Sequence, residues 1–531
     1  MAKRRVASVS DIETGRIHQA SVDDLELILV RIGGEIHALG GICPHHGAPL
    51  ADGLLDHDRL LCPWHQSVFH IPEGTLLEPP ALEGLPRYPV EVDGDDVLVQ
   101  VPDVQPPTAV QPTMAHGEPA KDTRTVVVLG GGAAGLAAAQ ELRRSGFAGR
   151  LVMVSDDPHA PYDRTECSKG YLAGQTNGDD LPLKPASFYA DADIEQIEHR
   201  VDGVDLSERR VTLPGGAVIQ ADGLLLATGG VPRRLDVEGA DLDGVATLRS
   251  RADSDRLAEL ADGASRAAVV GASFIGMECA ASLVQRGVES VTVIAPEEVP
   301  FEAALGRRVG GLLHDLHLDH GVEFRLGRTV ERFRGDGRVR SVVLDDGETV
   351  DADMVVVGIG VRPATDGFTG VALEDDGSLL TDELLRVREG VFAAGDIATF
   401  PDFRTGRPTR IEPWRTAQQQ GMTAGRNLAG EVEPFRAVPF FWTMQFDAIL
   451  GYVGHAPAWD EEIVHGELEG RDFMVYYVGD GRVLAAAAMG RDRQLSVLHE
   501  LMLLGREPTP QQLRDGELDL TGLLGTARGG S

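Results

Sequence analysis

"TVVVLGGGAAGLAAAQELRRSGFAGRLVMVSDD", residues 125–157, is the stretch on which the fold turns. Its apolar opening reads as a buried parallel strand, and "AAGLAAAQELRRSG" reads as an amphipathic helix. "RLVMVSDD" is then the next strand, so the unit is βαβ. Gly130, Gly132 and Gly135 fall in a G-x-G-x-x-G arrangement between strand and helix. The first glycine allows a tight turn, the second lets backbone approach a pyrophosphate at the helix N-terminus, and the third lets helix and strand pack closely. Asp156 and Asp157, closing the second strand, are placed to accept hydrogen bonds from a ribose.

The pattern recurs once. "AAVVGASFIGMECAASLVQRG" and "SVTVIAPEE" (267–298) give strand, helix and strand again, with Gly271, Ser273, Gly276 and Glu278 in the turn and helix. Serine takes the middle glycine's place and leaves less room for a pyrophosphate. Ala295 stands where an acidic ribose ligand is common, and Glu297 and Glu298 follow it. No arginine is near in sequence to neutralise a 2′-phosphate, so NADH is favoured over NADPH. Two such units predict two dinucleotide-binding domains in α/β style.

Outside these units the pattern changes. Residues 1–102 read as short strands with turns, with hairpins around Gly33-Gly34 and Asp93-Gly94-Asp95-Asp96, hence a small all-β domain. Residues 103–123 are rich in proline and read as a linker with polyproline character. From about Glu433, aromatic-rich strands and a terminal helix, "LSVLHELMLLG", predict an α+β unit. At 531 residues the chain has room for three to five domains of roughly 100–200 residues.

A net charge of −34 excludes nucleic acid as a partner, because a phosphate backbone would be repelled. It would steer a basic protein toward the surface. No apolar run approaches the ~18 residues that span a bilayer, and "MAKRRVASVSDIETG" lacks a signal peptide's apolar segment. Only 4 cysteines are present, too few for a secreted disulfide framework. The expectation is a cytoplasmic chain without membrane contact.

Further segments carry a resemblance. "PYDRTECSKGYLAG" (161–174), "LLLATGG" (224–230), "GVFAAGDIATF" (390–400) and "RIEPWRTAQQQG" (410–421) resemble the two-dinucleotide flavoprotein reductases. These are the ferredoxin reductases of oxygenase systems and the apoptosis-inducing-factor-like proteins, of glutathione-reductase-like fold. The resemblance covers essentially the whole chain from 124 onward. It implies FAD on 124–247 and 360–432, NADH on 248–359, and a C-terminal reductase domain on 433–531. It places Arg164, Lys169, Val201, Arg249, Asp396 and Trp414 at the flavin, with Trp442 near its face and Gly360, with Gly358, beside the nicotinamide. Lys169 is expected to pair with Glu278, and this pair forms the catalytic set. Pro413 departs from the family pattern. Cys167 stands where the family usually has leucine and reads as a small buried thiol; Cys279 reads as helix packing.

The remaining motif is Cys43-Pro-His45 with Cys62-Pro-Trp-His65. Two Cys and two His suit a tetrahedral zinc site. The flanks "CPHHGAPL" and "CPWHQSVF" resemble instead the ligand loops of Rieske proteins, in which two Cys bind one iron of a 2Fe-2S cluster and two His the other. His46 and His70 then sit near the surface. Ala48, Trp64 and Phe69 stand where hydroxyl donors or loop-tying cysteines occur in high-potential members. The resemblance therefore implies a value near the low end of the roughly −150 to +300 mV Rieske range. Ser67 is the remaining donor, and Gln66 replaces a common glycine.

The reading that follows is an NADH-dependent flavoprotein with a fused Rieske domain. It passes electrons to an acceptor such as a ferredoxin, oxygenase or haem protein, and self-association into a homo-oligomer is compatible with the class. Two alternatives stay open: a redox-sensing protein like apoptosis-inducing factor, and a peroxide or disulfide reductase working through Cys167.

Overall fold

The structure, a computed structural model, describes residues 2–102 and 107–528. Leu25–Ile32 and Glu35–Gly40 pair antiparallel across Gly33-Gly34, whose φ values are 59° and 90°. Val90–Asp93 and Asp96–Val101 form the second expected hairpin. A separate sheet runs Leu54–Asp56, Arg59–Leu61, Val68–His70 and Leu76–Glu78, each strand beside the next. The Cys62–Ser67 loop joins its second and third strands.

The first dinucleotide unit is a six-stranded sheet. Thr125–Leu129 lies parallel between Arg150–Ser155 and Gly223–Leu226, and α1 (Ala133–Arg144) follows the first strand. The second unit is a five-stranded sheet whose paired strands are all parallel, with Arg266–Val270 feeding α2 (Phe274–Arg286). The chain then returns to the first unit at Arg386–Arg388 and Val391–Ala393, which join its sheet, and α3 (Trp414–Ala429) follows and packs on α1. That approach is close: a Cβ on Gly421 would lie 2.1 Å from Ala134 O. An antiparallel sheet from Phe440 to Met489, α4 (Asp492–Leu503) and two short helices, Pro510–Arg514 and Leu520–Ala527, finish the fold.

The units share apolar cores. Leu54, Leu61 and Val68 of the N-terminal domain pack in one cluster with Phe440, Tyr476 and Leu498 of the last unit. Residues 107–123 are not a free spacer. Val110 exchanges both backbone hydrogen bonds with Gly84, and Ala115 N donates to Arg143 O at 2.8 Å. Thus the proline-rich segment is laid back over both neighbours; its residues 103–106 lie outside the described residues. Among the described residues no helix is long and apolar enough to cross a membrane.

Candidate functional site

A cavity of 960 Å³ opens between the two dinucleotide units and the C-terminal sheet. This is near the top of the ~300–1,000 Å³ range of cofactor pockets. Gly130 has φ 111°, and a Cβ there would lie 2.2 Å from Ala227 O. One on Gly135 would lie 1.9 Å from Gly130 O, whereas one on Gly132 would meet nothing within 4 Å, on the cavity wall. The three glycines thus make a turn, an open face and a tight helix contact, a cradle fitted to a pyrophosphate. The second motif repeats it: Gly271 is blocked at 2.3 Å by Gly358 O, and Gly276 at 2.1 Å by Gly271 O. Ser273 caps α2 with φ −98°, so its backbone is unstrained and only its hydroxymethyl group takes up space.

Asp156, Asp157, Arg164, Lys169, Val201, Arg249, Asp396, Trp414, Ser273, Glu278 and Gly360 all line this cavity, with Trp442. Gly135, Gly271 and Gly276 lie behind it and shape the turns. Asp157 is engaged by the Tyr162 hydroxyl at 2.8 Å and by His159. Asp156 accepts no protein hydrogen bond among the described residues, which leaves it free for a ribose. Arg249 Nη2 donates to Asp396 Oδ2 at 2.6 Å. Pro413 serves as a regular N-cap for α3, with φ −64°, so its departure from the family pattern leaves the helix start undistorted.

Glu297 lies away from the cavity wall, on the exposed loop after Ser290–Ala295. Here the expectation about arginine needs correction. Arg307 is near in space, with Nη2 2.7 Å from Glu298 and Nε 2.8 Å from Glu302. The helix Glu302–Asp319 of the second unit brings it back over the loop. Its charge is taken by two carboxylates, so the correction leaves no unneutralised cation waiting for a 2′-phosphate.

Lys169 Nζ stands 3.1 Å from Glu278 Oε2, and both side chains are buried. The same carboxylate accepts from Ser168 Oγ at 2.5 Å and from Thr443 Oγ1 at 2.7 Å. Thr443 was not foreseen from sequence; its one signal was its place beside Trp442. Cys167 is buried beside Tyr162 and Leu181, off the cavity wall, and burial pushes its thiol up to about 12. A Cys167→Ser protein is therefore expected to keep wild-type NADH turnover; a reductase working through this sulfur would lose it.

The two Cys/His loops fold alike. Cys43 N donates to Ala48 O and Gly47 N to Cys43 O; Cys62 N donates to Ser67 O and Gln66 N to Cys62 O. His45 Nδ1 lies 3.1 Å from His65 Nδ1, and Cys43 and Cys62 are both buried in one apolar cluster. Two nitrogens on one metal, at about 2.1 Å each, stand about 3.0–3.4 Å apart between right-angle and tetrahedral geometry. Burial lowers His45 to about 3 and His65 to about 2, so both rings are neutral, the form that binds metal. The buried Ser67 hydroxyl accepts from Ala81 N at 2.9 Å. His46 is the exposed neighbour expected, yet its Nε2 lies 3.5 Å from Asp163 of the "PYDR" segment. His70 is half-buried and faces Asp58 at 3.3 Å.

The two sites adjoin. The His65 ring centre lies 4.1 Å from that of Trp442, and His45 lies 5.9 Å from it. Trp442 also lines the 960 Å³ cavity, so one side chain touches both sites.

Residues 124–421 match the family model described as Pyridine nucleotide-disulphide oxidoreductase. The chain belongs to that family. Residues 2–89 match the Rieske [2Fe-2S] domain, which decides against zinc, and 440–524 match the Reductase C-terminal domain. The chain is thus an FAD-dependent NAD(P)H oxidoreductase carrying a 2Fe-2S domain. It is 36% identical to human apoptosis-inducing factor 3 over 94% of this chain and 84% of that protein. It is 33% identical to rhodocoxin reductase of Rhodococcus erythropolis over 75% of this chain and 93% of that one. The covalent putidaredoxin reductase–putidaredoxin complex has a reductase-like chain with TM-score 0.72 and 29% identity, covering 76% of this chain and 99% of that chain.

Proposed function

We propose that this chain oxidises NADH at the cavity and delivers electrons singly, by way of Trp442 and the Rieske histidines, to an electron-acceptor protein. The observation that carries the reading is the Trp442 side chain, shared by the cavity wall and the His65 ring. When bound, FAD takes up a hydride and gives up electrons one at a time, and a 2Fe-2S cluster accepts them one at a time.

The chain's own residues bind, orient and exclude. The Gly130–Gly135 turn with Asp156 and Asp157 would hold the FAD pyrophosphate and ribose, and the Arg249–Asp396 pair would fix the flavin's polar tail. Arg164, Val201 and Trp414 complete that wall. The Gly271–Gly276 turn would hold NADH, and Gly360 leaves backbone room beside the nicotinamide. Lys169, held by Glu278, presents a positive charge to the cavity. Cys43, His45, Cys62 and His65 would hold the cluster, with few hydroxyl donors around it, in keeping with a low potential.

In this reading residues 1–102 are the relay, 124–247 with 360–432 the FAD domain, 248–359 the NADH domain, and 433–531 the wall that supplies Trp442. The partner is a separate electron carrier or haem or oxygenase protein. The relatives support this, since several are named as ferredoxin reductases of oxygenase systems. The acidic surface fits a partner with a basic docking face.

The test is anaerobic titration with NADH. Both flavin and cluster absorbance are expected to bleach, with NADPH much less effective. Full flavin reduction beside a cluster that dithionite reduces but NADH does not would refute the wiring.

A further inference from the structure

The two ligand loops share a hydrogen-bond pattern but not a residue. Gly47 holds φ 79° in the first, and Gln66 holds φ 59° at the matching place in the second. A left-handed backbone at a non-glycine residue is disfavoured by its Cβ. It persists where the surroundings impose it.

Arg415 holds the carbonyl of Gln66. It is the residue after Trp414 in α3, and its side chain is fully buried. Its Nη2 donates to Gln66 O at 3.0 Å and to Glu78 Oε2 at 2.7 Å, and its Nε donates to Pro79 O at 2.9 Å. Gln419, one turn along α3, adds a 2.8 Å bond to the same carboxylate oxygen. One guanidinium therefore grips the loop carrying Cys62 and His65, and is rooted on the helix whose first residue walls the cavity. Glu78 also accepts from Arg59 Nη2 at 3.0 Å, and Arg59 Nη1 lies 2.5 Å from the buried Glu500 of α4.

We propose that Arg415 is a positioning residue for electron passage between the flavin site and the cluster. It clamps the 62–67 loop to α3, so that the cluster is reduced in place by a Rieske domain that does not swing. The inference rests on the proposed function. Swinging would require breaking the buried Arg415–Glu78 pair and opening the apolar cluster shared by Leu61, Val68 and Phe440.

The experiment uses full-length protein loaded with FAD and cluster, as wild type, Arg415→Met, Arg415→Lys and Glu78→Gln. Iron content and the cluster's visible spectrum establish loading. Anaerobic rapid mixing with NADH follows flavin and cluster bleaching separately, with and without sucrose as viscogen. Hydrogen exchange follows the amides of residues 62–67. In the wild type, cluster bleaching is expected to be independent of viscosity. In Arg415→Met, flavin bleaching keeps its rate and cluster bleaching slows about tenfold or more, as expected for a misplacement on the ångström scale. It also becomes viscosity-dependent, and the 62–67 amides lose protection. Arg415→Lys restores part of the rate.

A loaded Arg415→Met protein that reduces its cluster at the wild-type rate overturns the proposal, whatever its melting temperature. So does a wild-type rate that falls with viscosity. Should Arg415→Met fail to fold, Glu78→Gln, which keeps the shape and removes the charge, carries the same two criteria. A wild-type cluster that NADH never reduces refutes the proposed function instead; the clamp is then judged by exchange protection at 62–67 alone.

Discussion

A Cys62→Ser protein is expected to contain no cluster and to reduce a one-electron protein acceptor such as cytochrome c only at background rate. It is expected still to bind FAD and to oxidise NADH with small quinones. The split follows from where the sites draw their residues. Cys62 is buried at the root of its loop, in one apolar cluster with Cys43. Serine offers a hard oxygen in place of the soft thiolate that Fe–S clusters select. The cavity, by contrast, is lined only by residues from Leu129 onward, so losing the cluster removes nothing from the flavin wall. Iron and acid-labile sulfide content, the flavin spectrum and the two turnover assays check the outcome together. Wild-type reduction of cytochrome c by iron-free protein would mean that electrons leave the flavin directly, and the relay would be dispensable.

The parts legible in the sequence were those written within a few neighbouring residues. The glycine turns, the Cys-Pro-His and Cys-Pro-Trp-His loops and the "PYDR" segment each declare their geometry over four to ten or so positions, because backbone turns and ligand loops are local. The Lys169–Glu278 pair came through the resemblance, since 110 residues separate Ser168 from the same carboxylate. What was not legible lies where distant segments meet. Arg415 and Glu78 are 337 positions apart, and Thr443 and Glu278 165. No periodicity links such residues; only the packing of α3 and the C-terminal sheet against the other units does. Arg307 is a local case, nine positions beyond Glu298 and brought back to it by the turn into the helix Glu302–Asp319. Gln66 is the intermediate case. Aligning "CPHHGAPL" with "CPWHQSVF" sets Gln66 against Gly47 and exposes the left-handed position, but not the arginine that holds it there.

Glu278→Leu is expected to lower unfolding stability by about 3–5 kcal/mol, the cost of removing one partner of a buried ion pair. Glu278 sits at the start of α2, where three parts of the chain meet on one carboxylate. Lys169 and Ser168 come from the flavin segment, and Thr443 comes from the C-terminal sheet. Leucine matches the bulk but leaves the Lys169 ammonium buried with a single bond, to Thr165 O at 3.0 Å. It also leaves two hydroxyls without their acceptor, each an unmade bond of about 1–3 kcal/mol. Thr443 is the residue after Trp442, so the loss also frees the tryptophan that touches the Rieske histidines. Urea unfolding of the FAD-loaded protein measures the first effect, and NADH-driven flavin bleaching is expected to slow by about tenfold or more as Lys169 loses its orientation. Glu278→Gln separates shape from charge: its one carbonyl oxygen keeps an acceptor for one of the two hydroxyls, so it should recover part of the stability while the bleaching rate stays low. If Glu278→Leu unfolds at the wild-type urea midpoint and bleaches at the wild-type rate, the carboxylate is neither the junction of the three units nor the group that aims Lys169.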